Sequence, residues 1–224
     1  VLEGRPPRYP VNVTALPPEE LLFLEPYLDL GKRMGSLGAQ LLRDNLAEVE
    51  ITYAGQVAEH NTRLLTAAIL EGIFAEAGEH ANLVNAHLLA QERGILIRET
   101  RTTELKEFSS LLTLHTRTAA GELELSGTIL RGRPHIVNLK GHWLDFPAEG
   151  ILLISEHIEQ PGVIGRMGTL LGDAGINISF VQVGRERRGG PGVMVVGLDD
   201  VLSEQVLEQV RQMPSVLSAQ VVVL

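Results

Sequence analysis

From Ile151 to Leu224 the sequence passes through strand, helix, strand, strand, helix and strand, and each element carries its own period and its own stop. Ile151 to Ile154 is an unbroken apolar run, read as a strand. Val163, Ile164, Met167, Leu170 and Leu171 recur at helical spacing over Pro161 to Ala174, and Gly175 ends them. Asn177 to Arg185 and Val193 to Leu198 read as strands either side of the turn Arg187-Arg188-Gly189-Gly190-Pro191-Gly192. Ser203 caps a helix to about Met213 with Val206, Leu207 and Val210 inward, and Val216 to Leu224 closes with a strand. The order βαββαβ predicts a split-βαβ, ferredoxin-like unit.

Pro147-Ala148-Glu149-Gly150 separates this unit from a different pattern upstream. Pro17-Pro18-Glu19-Glu20 opens a helix, because proline suits the first turn and glutamate there complements the helix dipole. Apolar spacing carries that helix to Leu42, with Pro26 as the place for a kink. Gly31, Gly35 and Gly38 share one face and invite another backbone to approach closely. Glu48 to Tyr53 alternates as a half-buried strand, and Asn61 or Thr62 caps a helix to about Ala77. A helix over about Leu83 to Arg93 stops at Gly94, and Ile95 to Glu99 reads as a strand. Leu112 to Thr116 and Leu123 to Leu130 form a hairpin, and His135 to Leu139 pairs with His142 to Phe146 about Lys140-Gly141. Val11 to Val13 suggests a short strand. The fold class expected is α+β in two domains: a linker tail over 1–17, a first domain over 18–146 and the βαββαβ domain over 150–224.

Composition removes several functions. A net charge of -9 argues against a nucleic-acid partner, which needs clustered Lys and Arg. The absence of cysteine excludes disulfides and thiolate metal sites, and the seven histidines show no metal-ligand spacing. No apolar run reaches the roughly 18 residues of a membrane helix, and the Pro-rich start is no secretory signal, so no membrane partner and a cytoplasmic location are expected. The chain opens with Val1 in a segment that reads as a linker, Gly4-Arg5-Pro6-Pro7-Arg8-Tyr9-Pro10, which gives the expectation of a cut through a longer protein. No Gly-x-Gly-x-x-Gly follows a strand, so no dinucleotide cradle, cofactor or catalytic residue is expected on this chain.

The loop from His157 to Gly162 leads into a helix whose first amides, at Gly162 and Val163, suit a carboxylate. Glu159 can hold an ammonium, and Asn177 beside Ile178, or His157 when neutral, can pair a hydroxyl. These are the complements of a zwitterionic, hydroxylated amino acid. Each has a plainer reading: Pro161-Gly162 is a helix start, Asn177 a turn residue and Glu159 a solvated acid.

His157-Ile158-Glu159-Gln160-Pro161-Gly162-Val163-Ile164-Gly165, with Gly175-Ile176-Asn177-Ile178, resembles an ACT domain. Gln182-Val183-Gly184-Arg185 and its glycine-rich turn narrow the resemblance to the regulatory end of the D-3-phosphoglycerate dehydrogenases. Pro6 to Val13, Leu83-Val84-Asn85-Ala86, Glu92-Arg93-Gly94, Ser126-Gly127-Thr128, Ile136 to Leu139 and Gly141-His142 resemble that family's linker and intervening domain. The resemblance implies an NAD-dependent parent enzyme whose catalytic domains lie upstream, L-serine as the ligand and a homodimer joined through ACT domains. It maps positions 157, 159 and 177 onto the family's serine contacts, with Glu159 where Asn or Asp is common. It also implies an anion site in the first domain. At positions aligned with the family's basic residues stand His135, His142 and Pro147, with Arg131, Arg133 and Lys140 nearby to compensate. Two alternatives stand beside this reading: a free-standing amino-acid-binding regulator, and the regulatory part of an L-serine dehydratase, whose cluster a cysteine-free chain cannot ligate.

Overall fold

The computed structural model describes residues 17–42, 44–105, 107–119 and 121–224, so the expected strand at Val11 to Val13 and nearly all of the expected tail lie outside the described residues. The first half contains helices α1 (Pro18–Leu42), α2 (Thr62–Glu76) and α3 (Ala86–Glu92). Its strands are β1 (Leu46–Gly55), β2 (Leu96–Thr102), β3 (Ser110–Thr118), β4 (Glu122–Leu130), β5 (Arg133–Leu139) and β6 (His142–Pro147). They form one sheet in the order β2-β1-β3-β4-β5-β6, with only β1 and β2 parallel. The helix α1 is unbroken through Pro26.

The glycine face of α1 is where α2 docks. A Cβ on Gly35 would lie 2.0 Å from the Ile69 carbonyl oxygen, and one on Gly72 would lie 1.9 Å from that of Lys32. The two backbones therefore touch reciprocally, and neither position admits a side chain. Gly31 joins this contact against Ile69, whereas Gly38 faces Leu114, Leu123 and Leu125 of the sheet. Helix α2 has Asn61 as its cap, whose side chain accepts from the Arg63 amide.

The second half is the expected βαββαβ order: β7 (Ile151–Ile158), α4 (Val163–Asp173), β8 (Ile178–Arg185), β9 (Pro191–Leu198), α5 (Glu204–Arg211) and β10 (Val216–Val223). The sheet order is β10-β7-β9-β8, every neighbour antiparallel. Leu153, Met194, Val196 and Ala219 pack under α4 and α5 with Val163, Met167, Leu171, Leu207 and Val210. The opposite face of the same sheet, through Leu152, Ile154, Val193, Val195 and Val222, joins the core of the first half. Both faces of β7 and β9 are thus covered, which explains why they read as continuous apolar runs. Polar clamps hold the joint: Gln40 bonds both the amide and the carbonyl of Val223, at 3.1 and 2.8 Å, and the Arg33 guanidinium donates to the Ala148 carbonyl at 2.8 Å. No described helix is long and apolar enough to cross a membrane.

Candidate functional site

Strand β7 runs four residues beyond the apolar run that announced it, and this extension builds the site. Ladders to β9 and β10 continue through Ser155, Glu156 and His157. Side chains alternate along a strand, so Ser155 and His157 point to the same side as Leu153, toward the helices. At the strand end a row crosses the sheet: Val216 on β10, His157 on β7, Gly192 on β9 and Arg185 on β8. The imidazole lies over Gly192, where a Cβ would touch its Cε1 and Nε2 at an ordinary 3.6 Å but would crowd the Gly184 carbonyl oxygen at 2.9 Å.

His157 is 2% exposed and its Nδ1 has no partner; Ser155 is 1% exposed and its hydroxyl has none either. The Ser215 hydroxyl, in the turn that pairs its carbonyl with the Ile158 amide, is likewise buried and unpaired. Burial pushes the His157 imidazole below its ordinary pKa, the nearby His142 adds to this, and the Ser155 backbone carbonyl opposes it. Burial thus disfavours the imidazolium, and a neutral ring carries one N–H and one lone pair. Buried polar groups without partners cost free energy, so Ser155, His157 and Ser215 are candidates for contact with a ligand.

The loop above them is closed on itself. The Glu159 carboxylate accepts from the Arg185 guanidinium and, at 2.6 Å, from the Gly189 amide, while its own amide donates to the Gly190 carbonyl at 2.9 Å. Gly162 caps α4 at φ +87°, a left-handed position suited to glycine. The Val163 amide donates to the Gln160 carbonyl at 3.3 Å. His157, Glu159, Gly162 and Val163 thus lie at one end of the domain. Asn177 and Ile178 do not join them within one chain. Strands β7 and β8 are both antiparallel to β9, so the start of β8 lies at the far end of the sheet, about 20 Å away at the usual strand rise. There the Asn177 side chain donates to Asp199.

The basic residues of the first half are divided too. Arg131, Arg133 and His135 lie at one end of the β5–β6 hairpin, where Arg133 faces Glu149 at 3.6 Å and His135 faces Asp145 at 2.6 Å. Lys140 and His142 lie at the other end, at the joint between the halves. Lys140 pairs with Glu156, and the His142 Nδ1 is buried without a partner beside Gly184. Sequence reasoning did not find Ser155, whose signal is a hydroxyl at an inward position of a strand. It used Arg185 only as a mark of resemblance, not as a partner of Glu159.

The model of the D-3-phosphoglycerate dehydrogenase intervening domain matches residues 23–140, and that of the ACT domain matches residues 151–215. The chain belongs to the D-3-phosphoglycerate dehydrogenase family. A D-3-phosphoglycerate dehydrogenase of Methanocaldococcus jannaschii is 35% identical over 99% of this chain and 42% of its own length. That of Archaeoglobus fulgidus is 33% identical over 97% and 42%, and that of Bacillus subtilis 29% over 98% and 42%. The chain spans about two fifths of the length of these relatives and corresponds to their C-terminal regulatory part.

Proposed function

We propose that this chain is the sensing region of an NAD-dependent, cytoplasmic D-3-phosphoglycerate dehydrogenase and that its ACT domain binds L-serine. The observation that carries this is the pair of buried, unpartnered groups on β7, Ser155 and His157, on the face of the sheet that α4 and α5 cover. A hydroxylated amino acid would satisfy them. NAD and phosphoglycerate would be handled by catalytic domains outside this chain.

The separation of Asn177 from His157 argues for a site shared by two copies. Strand β8 is the outer strand of its sheet, with one edge of backbone groups free of ladder partners. An isologous pairing of two β8 edges runs them antiparallel, which brings the start of one beside the end of the other. Asn177 of the second copy would then stand next to Arg185, Glu159 and His157 of the first. A homodimer through the ACT domains thus completes the set that one chain leaves divided.

Thermal-shift titrations with L-serine, L-alanine and glycine test the reading. The wild type should respond to serine above alanine, because alanine leaves a buried partner of the hydroxyl unpaired, a cost of about 1–3 kcal/mol. Ser155→Ala should lose most of that preference, and Asn177→Ala should weaken all three ligands alike, because Asn177 of the second copy completes the site. Equal responses to all three ligands, or none, would overturn the proposal.

A further inference from the structure

We infer that Arg185 is the group that receives the ligand's carboxylate, and that a zwitterionic amino acid binds by parting the Glu159–Arg185 ion pair; this rests on the amino-acid-sensing reading above. The sequence points instead to the helix start for that role. In the structure the Val163 amide is already bonded to the Gln160 carbonyl at 3.3 Å. A backbone amide supplies no full positive charge. Arg185 supplies one, from the last residue of β8, in the same cross-strand row as the buried imidazole of His157.

Glu159 is the ammonium partner suggested by its chemistry, yet both of its oxygens are engaged, one by Arg185 and one by the Gly189 amide. An ammonium ion alone would have to displace a cation and leave it unpaired. A zwitterion does not: its ammonium replaces the guanidinium on Glu159, and its carboxylate replaces Glu159 on the guanidinium. Charge is balanced before and after. The Arg185 side chain is 50% exposed, so the pair is partly screened by water and its exchange is cheap. The guanidinium fork matches a carboxylate in two parallel hydrogen bonds, which a single amide cannot do. His157, in the same cross-strand row as Arg185, and Ser155, two residues along β7, carry a buried unpaired Nδ1 and a buried unpaired hydroxyl; these are the groups the short polar side chain of a ligand would meet. The ligand class that follows is a small α-amino acid with both main-chain charges intact. Arg185 determines its specificity against amides and amines.

Calorimetric titration of the full chain with L-serine and with L-serinamide, which keeps the ammonium and hydroxyl but not the carboxylate, tests this. Wild type should prefer serine by roughly 10- to 100-fold, the range of one charge-assisted bidentate contact. Arg185→Gln should bind serine weaker by a similar factor and should no longer distinguish it from serinamide. Arg185→Met, of similar length without polar groups, should behave alike, and melting of the unliganded variants checks that each is folded. If either folded variant keeps the wild-type affinity and preference, Arg185 does not hold the carboxylate, while serine sensing stands. If wild type binds no amino acid, the sensing reading falls and this inference with it.

Discussion

Replacing Gly184 by alanine should open the joint between the two halves of the chain. Gly184 lies on β8 immediately before Arg185 and faces the first half. A Cβ there would stand 2.8 Å from the Cβ of His142, 3.2 Å from Leu144 Cδ2 and 3.2 Å from the Trp143 carbonyl oxygen. Carbon pairs settle at about 3.5–4.0 Å, so β6 and β8 must part by somewhat under ~1 Å. Two of the three obstacles are a Cβ and a backbone carbonyl, which cannot swing aside. Overpacking of this kind costs about 1–3 kcal/mol. At this chain length each kcal/mol lowers the melting temperature by about 2–4 °C, so a fall of roughly 2–12 °C is expected. Gly168, inside α4, is the matched control: a Cβ there meets nothing within 4 Å, and its φ is not positive. Gly168→Ala should raise stability by about 0.5–1 kcal/mol, the usual gain for a helix interior. Differential scanning calorimetry of the two variants beside wild type reads both signs at once. A Gly184→Ala protein that melts with or above wild type would refute the close contact between β6 and β8.

Three further outcomes follow. Gly72→Ala places a Cβ 1.9 Å from the Lys32 carbonyl oxygen, so it should destabilise by ~3 kcal/mol or more, near the upper end for overpacking, and circular dichroism melts should show an early loss of helix. Burial holds the His157 imidazole below its ordinary value of 6.5, so the unfolded chain takes up a proton that the folded chain resists. The stability it contributes is present above that pH and is lost as the pH falls through it toward the depressed folded value; melts from pH 7.5 to 5.5, a range chosen around the ordinary histidine value, should fall less steeply in His157→Gln than in wild type. Val181→Lys sets a charge on the outer strand β8, where edge lysines discourage pairing; sedimentation should show more monomer than wild type, and serine binding should weaken in step.

Much of the architecture is legible in the sequence because apolar period and stop signals coincide. The second half shows this: Gly175 ends the α4 run, and Ser203 caps α5 by accepting from the Val206 amide. The glycines of α1 likewise announce a close helix, though the reciprocal Gly72 sits in a segment too apolar for its spacing to stand out. Strand ends are less legible. Ile151 to Ile154 is apolar, but Ser155, Glu156 and His157 break the pattern. They remain in β7 because β9 and β10 pair with them from both sides, a tertiary cause that no local window contains. The site is only half legible for a related reason. His157, Glu159, Gly162 and Val163 are near in sequence and near in space. Asn177 stands at the other end of the sheet because the crossover through α4 returns the chain to start β8 level with the start of β7. The engagement of Glu159 by Arg185 joins residues 26 apart and appears in no spacing rule.

If the proposed serine site is right, the buried imidazole of His157 takes a partner when L-serine binds. Nitrogen-15 NMR of protein labelled at its seven histidines reads this at the atom concerned, with the His157 signal assigned by its loss in His157→Gln. Saturating L-serine should shift the His157 Nδ1 resonance as its empty hydrogen-bonding position fills, while L-alanine at the same concentration should leave it nearly in place. A His157 signal that does not move with serine, in a sample that calorimetry shows to be saturated, would show that His157 does not contact the ligand.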